Sequence, residues 1–255
     1  MKSAHFLVCS LAVIAASFPA VAPALAEENN ELVGLVIGLL GDKDKDVRAL
    51  GLEQVRTSAK GTAATKSFAA QLPKLSAAAK VGLLGALSVR GDNTARPAVV
   101  ETLSTSKDEA VRVSAIAALG MLGQPDDVRQ LVKLLGGVSK SEQTAARQSL
   151  INLRGDEVPP LIASEMKESL DGLRVKLMEI LVSRRAFGTI PDILPAAVDD
   201  NPVVRAAAMK SLGAIGGPQH IAGMVAGVLK AERGRERENA EKCVMFVCNR
   251  LKEAD

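Results

Sequence analysis

Basic side chains recur along this chain at steps of 31 or 32 residues, and that period constrains its fold more than any other feature. With Arg112 as the reference, the equivalent positions are Arg48, Lys80, Arg112, Gln143, Arg174, Arg205 and Arg237. Apolar residues around them recur at helical spacing, and Gly and Pro punctuate the chain between them, which describes a string of short helices. Seven residues after the reference stand Val55, Leu87, Leu119, Leu150, Leu181, Leu212 and Val244, all large and aliphatic. Three residues after it stand Gly51, Leu83, Ala115, Ala146, Leu177, Ala208 and Ala240, mostly small. A large column beside a small one lets stacked helices approach closely. Burying each Leu or Val contributes about 1.5–3 kcal/mol. One such unit cannot offset its own ordering entropy, so seven units must stack to share a core.

Helix punctuation keeps the same register. Four residues before the reference lie Asp44, Ser76, Asp108, Ser139 and Asn201, side chains that can accept from a free backbone N–H at a helix start. Pro202 then takes the first helical position, where a missing donor costs nothing. The fifth unit has Leu170 in that column, with Ser169 or Asp171 as substitute caps. Each unit also holds an earlier helix, expected over 31–40, 65–75, 98–103, 126–135, 160–166, 191–198 and 219–229. Pro97, Pro125, Pro159, Pro191 and Pro218 mark their starts, and Gly91, Gly123, Gly155, Gly188 and Gly216 the turns between units.

The stretches 108–123 (DEAVRVSAIAALGMLG) and 201–216 (NPVVRAAAMKSLGAIG) resemble HEAT repeats of the short bacterial kind first grouped with the phycobilisome-lyase subunits. The likeness covers essentially all of 31–255, strongest in the third and sixth units and weakest in the second, fourth and seventh. It implies an all-α fold, a right-handed α-solenoid of about seven HEAT-like helix pairs, with the second helices lining a concave binding face. It also implies a polar ladder between neighbouring units. The reference Arg fits that ladder, but an acidic residue six positions earlier occurs only as Asp42, Glu168 and Asp199. The irregular positions Gln143 and Leu170 place an expected bend in the superhelix at the fourth and fifth units.

The first 26 residues read as a secretory signal peptide rather than as part of the solenoid, which then occupies 27–255. Lys2 precedes an apolar run, Phe6 to Ala16, too short for the roughly 20 residues that span a bilayer. Pro19 and Pro23 should end any helix there, and Ala24-Leu25-Ala26 offers a cleavage site after Ala26. Cys9 opens the apolar run instead of following it, which argues against a lipid-anchored form. The expected location is periplasmic or secreted, without stable membrane insertion after cleavage. Loss of Lys2 leaves 31 basic against 29 acidic residues, a balance with no electrostatic footprint for nucleic acid.

Chemistry is sparsely provided for. Beyond residue 26 there is one histidine, His220, and the aromatics are Phe68, Phe187 and Phe246, with no Trp or Tyr. A nucleophile lacks a partner base, flat cofactors lack stacking rings, and no His/Cys spacing suits zinc or haem. No catalytic residue, cofactor or metal is expected. The carboxylate pairs Asp126-Asp127 and Asp199-Asp200 sit at helix boundaries and read as caps, His220 as an exposed turn residue, and the mixed-charge run 230–242 as a polar terminal cap. Cys243 and Cys248 are too far apart to bridge within a continuous helix; if the last helix ends near Cys248, as the alignment with Gly123 and Gly216 suggests, a disulfide can staple the C-terminal unit.

What remains is surface. Five residues after the reference lie Glu53, Gly85, Ala117, Gln148, Glu179, Lys210 and Lys242, a column pointing away from the core that drifts from acidic to basic. Glu53, Gln148, Glu179, Lys210 and Lys242 are the candidate concave-face contacts. The expected function is an exported, non-enzymatic scaffold that binds another protein through this face. The alternatives are a lyase-like accessory subunit that holds a substrate protein for chromophore or cofactor attachment, and a structural spacer in an envelope assembly.

Overall fold

The computed structural model describes residues 21–252, and among them helices alternate with short turns and no strand occurs. Seven helix pairs follow one another: α1 (Val21–Leu40) with α2 (Lys45–Thr57), α3 (Thr62–Ala69) with α4 (Ala77–Arg90), α5 (Arg96–Thr105) with α6 (Glu109–Leu122), α7 (Val128–Leu135) with α8 (Lys140–Asn152), α9 (Val158–Glu168) with α10 (Asp171–Ser183), α11 (Ile190–Ile193) with α12 (Pro202–Ile215), and α13 (Ile221–Lys230) with α14 (Arg235–Lys252). The arrangement is an α-solenoid. Most of the expected leader, residues 1–20 with Lys2, Cys9 and the apolar run, lies outside the described residues. Pro23 does not end a helix as expected. It falls in the first turn of α1, where the N–H it lacks would have no intrahelical partner.

The column seven residues after the reference is the core. Val55, Leu87, Leu119, Leu150, Leu181 and Leu212 are all fully buried, and so is every member of the small column from Gly51 to Ala240. In the last unit Val244 is only half-buried and Val247 takes the interior place. The first helices contribute their own i, i+4 pairs: Val36 and Leu40, Phe68 and Leu72, Val99 and Leu103, Leu131 and Leu135, Ile162 and Met166, Ile193 and Ala197.

Each of the five expected caps forms. Asp44, Ser76, Asp108, Ser139 and Asn201 accept from backbone N–H groups in the first turn of α2, α4, α6, α8 and α12. In the fifth unit neither substitute caps α10: Ser169 donates back to the Glu165 carbonyl, while Asp171 accepts from Arg174 and Asn201, so Leu170 occupies the cap position bare. Prolines shape the first helices. Pro195 removes a donor from the sixth, so four residues of α-helix give way to a 3-10 stretch, Leu194–Val198. Pro73 likewise lies in a 3-10 turn after α3.

Consecutive second helices are in broad contact, whereas consecutive first helices touch less, so the second helices form the inner layer of the stack. One joint departs from this. Helices α8 and α10 touch least of all the second-helix neighbours, and α7 and α9 close up on the other side. That joint lies between the fourth and fifth units, where Gln143 and Leu170 interrupt the columns.

Candidate binding surface

The reference residues act first within their own units. Arg48 donates to the carbonyls of Asp42 and Lys43, Arg112 to Leu103, Gln143 to Gly137, Arg205 to Asp199 and Asp200, and Arg237 to Leu229 and Ala231. Each ties up carbonyls left open at or just beyond the end of the preceding first helix.

The ladder between units is real, but its acidic partners differ from those expected. Arg112 grips both oxygens of Glu142 through Nε and Nη2, one edge of its guanidinium, and Arg205 grips Glu236 in the same way at 2.9 and 3.0 Å. Those glutamates sit one residue before the next reference position. Of the expected acids, Asp42 offers Arg48 a backbone carbonyl, Glu168 takes no part, and Asp199 pairs at 2.8 Å with Arg174 of the preceding unit. The Arg112 hydrogen bonds hold the Glu142 carboxyl below its ordinary value against an opposing push from burial, and Arg205 does the same for Glu236. Where Gln143 replaces the basic residue, Lys176 of the next unit supplies the cation, donating to the Gln143 amide oxygen and the Leu135 carbonyl.

A second set of arginines was not legible in the repeat. Arg90, Arg184 and Arg250 each reach back one unit to the carbonyl end of the preceding second helix. Arg90 bonds Val55, Ser58 and Ala59; Arg184 bonds Leu150 and Ile151; Arg250 bonds Gly213, Ala214 and Gly216. Arg90 and Arg184 both stand ten residues after the reference and Arg250 thirteen, but the other units carry Ser58, Leu122, Leu153, Ile215 and Val247 at the ten-residue offset, so no basic column marks them.

The residues weighed for chemistry are structural. Asp127 is buried and accepts two hydrogen bonds from Arg96 at 2.7 and 2.8 Å, besides the Gln124 N–H. Asp199 accepts from the Asn201 N–H and Arg174, and Asp200 pairs with Lys230. His220 is half-buried rather than exposed, and its Nδ1 accepts the Gly217 N–H. Among the described residues no cluster of metal-ligating side chains forms, and no helix is long and apolar enough to cross a membrane.

The run 230–242 closes α13 and enters α14 and is largely exposed, with Glu236 and Arg237 tied inward as above; beyond it on the same helix Met245 and Phe246 are exposed. Helix α14 also continues unbroken past Cys248, which removes the condition for a bridge. Cys243 and Cys248 point about 140° apart around one helix, and both are free, half-buried thiols.

All seven members of the outward column, from Glu53 to Lys242, are exposed on the inner layer. Their charges are unequally available. Glu53 pairs with Arg56 at 2.9 Å, Gln148 donates to Asn152, and Glu179 meets Arg147 at 3.4 Å. Lys210 and Lys242 make no ion pair or hydrogen bond among the described residues. Both border an apolar depression of about 370 Å³ between α12 and α14, lined by Met209, Gly227, Ala231, Ala240, Cys243 and Phe246, with the Arg205–Glu236 pair at its edge. Burial pushes the Cys243 thiol up, offset in part by Lys210. A second depression of about 440 Å³ lies between α10 and α12, walled by Val182, Ala206, Ala207 and Ala214. Ala206 and Lys210 belong to both. The repeat register located the lysines but not the depressions. Their one sequence trace is the run Ala206-Ala207-Ala208, which leaves α12 slender on both sides.

Inner-layer helices with an open, largely apolar surface and unpaired cations define a repeat scaffold. Residues 65–151, which span most of the second to fourth units, match the family model for HEAT repeats, including two units whose sequence likeness is weak. No curated protein is similar enough in sequence to stand as a relative. Among solved structures, the chain is similar to human deoxyhypusine hydroxylase in complex with glycerol (20% identity, 89% of this chain and 100% of that one, TM-score 0.40). It is also similar to the CpcE–CpcF complex of phycocyanin lyase from Nostoc (18%, 94% and 100%, TM-score 0.43) and to YibA of Escherichia coli (14%, 85% and 82%, TM-score 0.44). Likeness at this level says nothing of activity or partners.

Proposed function

We propose that this protein is an exported, non-enzymatic scaffold that binds another protein through the inner face of its solenoid. The observation that carries this reading is the contrast between the two uses of polar groups. Most of the reference arginines, Asp127 and Asp199 are committed to helix ends or to contacts between units, whereas Lys210 and Lys242 stand unpaired among the described residues beside an exposed apolar surface on the inner layer. Unpaired cations around apolar surface suit complementarity to a macromolecular partner. Export rests on the charged, apolar and small-residue layout of residues 1–26.

Two measurements test it. Cell fractionation with N-terminal sequencing should find the chain outside the cytoplasm and beginning at Glu27; a cytoplasmic chain starting at Met1 would contradict export. Immobilised protein should capture a defined partner from envelope extract. The paired reversal Glu179→Lys with Lys210→Glu should weaken that capture at least tenfold, and Lys133→Glu on α7 should not. Capture insensitive to the inner-face reversal would contradict the reading, as would a visible chromophore co-purifying with the protein.

A further inference from the structure

We infer that the paired depressions flanking α12 accept an extended acidic segment of the partner, with two large apolar side chains three residues apart and a carboxylate beside them. This deepens the scaffold reading and rests on it.

Charge selects the acid. Every other charge at the rims is matched: Arg205 by Glu236, and Glu179 by Arg147. Lys210 and Lys242 are left over, and Glu238, one turn from Lys242 on the same helix, does not pair with it. Among the residues that line the depressions there are therefore two unmatched cations and no unmatched anion, complementary to Asp or Glu.

Shape selects the anchors. Apart from the charged rims and the polar Ser183, Ser211 and Asn239, the linings are alanine, glycine, methionine, valine and Cys243, with Phe246 exposed at one edge. The two other aromatics among the described residues lie against arginines elsewhere, Phe68 under Arg90 and Phe187 under Arg185. Each depression has room for one or two aliphatic side chains and is too open to enclose a long acyl chain.

Spacing selects the conformation. The depressions occupy successive inter-helix grooves, and packed helices lie roughly 8–10 Å apart. Three residues of extended chain in the polyproline-II conformation advance about 9 Å and bring the side chain back to the same face. The Ala206–Lys210 edge divides the two, so the surface is a pair of sockets with a cation between them, not one trough for the body of a helix. A carboxylate between or next to the anchors then reaches Lys210, and a second one Lys242.

The test is selection of random dodecapeptides displayed on phage against the immobilised protein, followed by anisotropy titration of the selected peptide. The expected consensus has two of Leu, Met or Phe three positions apart with Asp or Glu adjoining. Lys210→Glu should weaken the synthetic consensus peptide at least tenfold, and Ala206→Trp, at an exposed position that keeps the fold, should fill the shared wall and abolish binding. Covering the depression should also slow maleimide labelling of Cys243 in a Cys248→Ser background. Basic consensus peptides, anchors seven apart, no enrichment, or a consensus peptide indifferent to both variants would each overturn the inference. A protein partner captured from extract but indifferent to Lys210→Glu alone and to Ala206→Trp would leave the scaffold reading standing and remove this one.

Discussion

At the scale of single residues, close approach between second helices requires glycine at one position and not at another. A Cβ on Gly120 would lie 2.8 Å from the Ser149 backbone, where α6 meets α8, while one on Gly85 would meet nothing within 4 Å. Gly120→Ala should cost about 1–3 kcal/mol as overpacking. Gly85→Ala, exposed in a helix interior, should be neutral or stabilise by up to about 1 kcal/mol. Thermal unfolding of the pair checks both signs. The ladder adds a pH dependence. The folded-state values of Glu142 and Glu236 are lowered by their arginines, so their contribution is present above the ordinary glutamate value of 4.5 and is lost as pH falls through the lowered values. Stability should be flat from neutrality to about pH 5 and fall below it. Glu142→Gln with Glu236→Gln should lower stability at neutral pH and flatten the acid limb; an unchanged acid limb would mean that the ladder does not govern it. The arginines of the ladder were legible because they recur. Their partners were not, because a flexible guanidinium reaches whichever carboxylate the next unit supplies.

At the scale of elements, caps and core columns were readable because they depend on residue type at fixed helical offsets. The bare cap at Leu170 is the exception with a consequence. Leu170→Ser should stabilise the protein by about 1 kcal/mol, since the backbone there already has the extended N-cap geometry and the leucine is exposed. A lower melting temperature would contradict that account. First-helix boundaries were read less well, since proline positions show where an α-helix can start but not where it yields to a 3-10 turn, as at Pro195. The end of α14 was misread because Gly123 and Gly216 close earlier helices and Cys248 does not. The α8–α10 joint relies on long polar reaches, Lys176 to Leu135 and Arg184 to Leu150 and Ile151, in place of broad apolar contact. Arg184→Ala should therefore raise amide exchange in α8 and α10 before the outer units. Uniform exchange along the stack would show that the joint is no weaker than the rest.

At the scale of the whole molecule, the period announces a stack, and the stack decides which face is inner. It does not decide where along that face the surface opens. The depressions beside α12 arise from three units meeting, α10, α12 and α14, and from small side chains whose effect depends on what packs around them. The central claim is that this inner face binds. The most direct measurement is photocrosslinking in intact cells with benzoylphenylalanine placed singly at Glu179, Lys210 and Lys242 on the inner layer, and at Arg129 and Lys133 on α7. The account predicts one discrete crosslinked protein from the inner positions and none from α7. Crosslinks from α7 with silence at all three inner positions would contradict it.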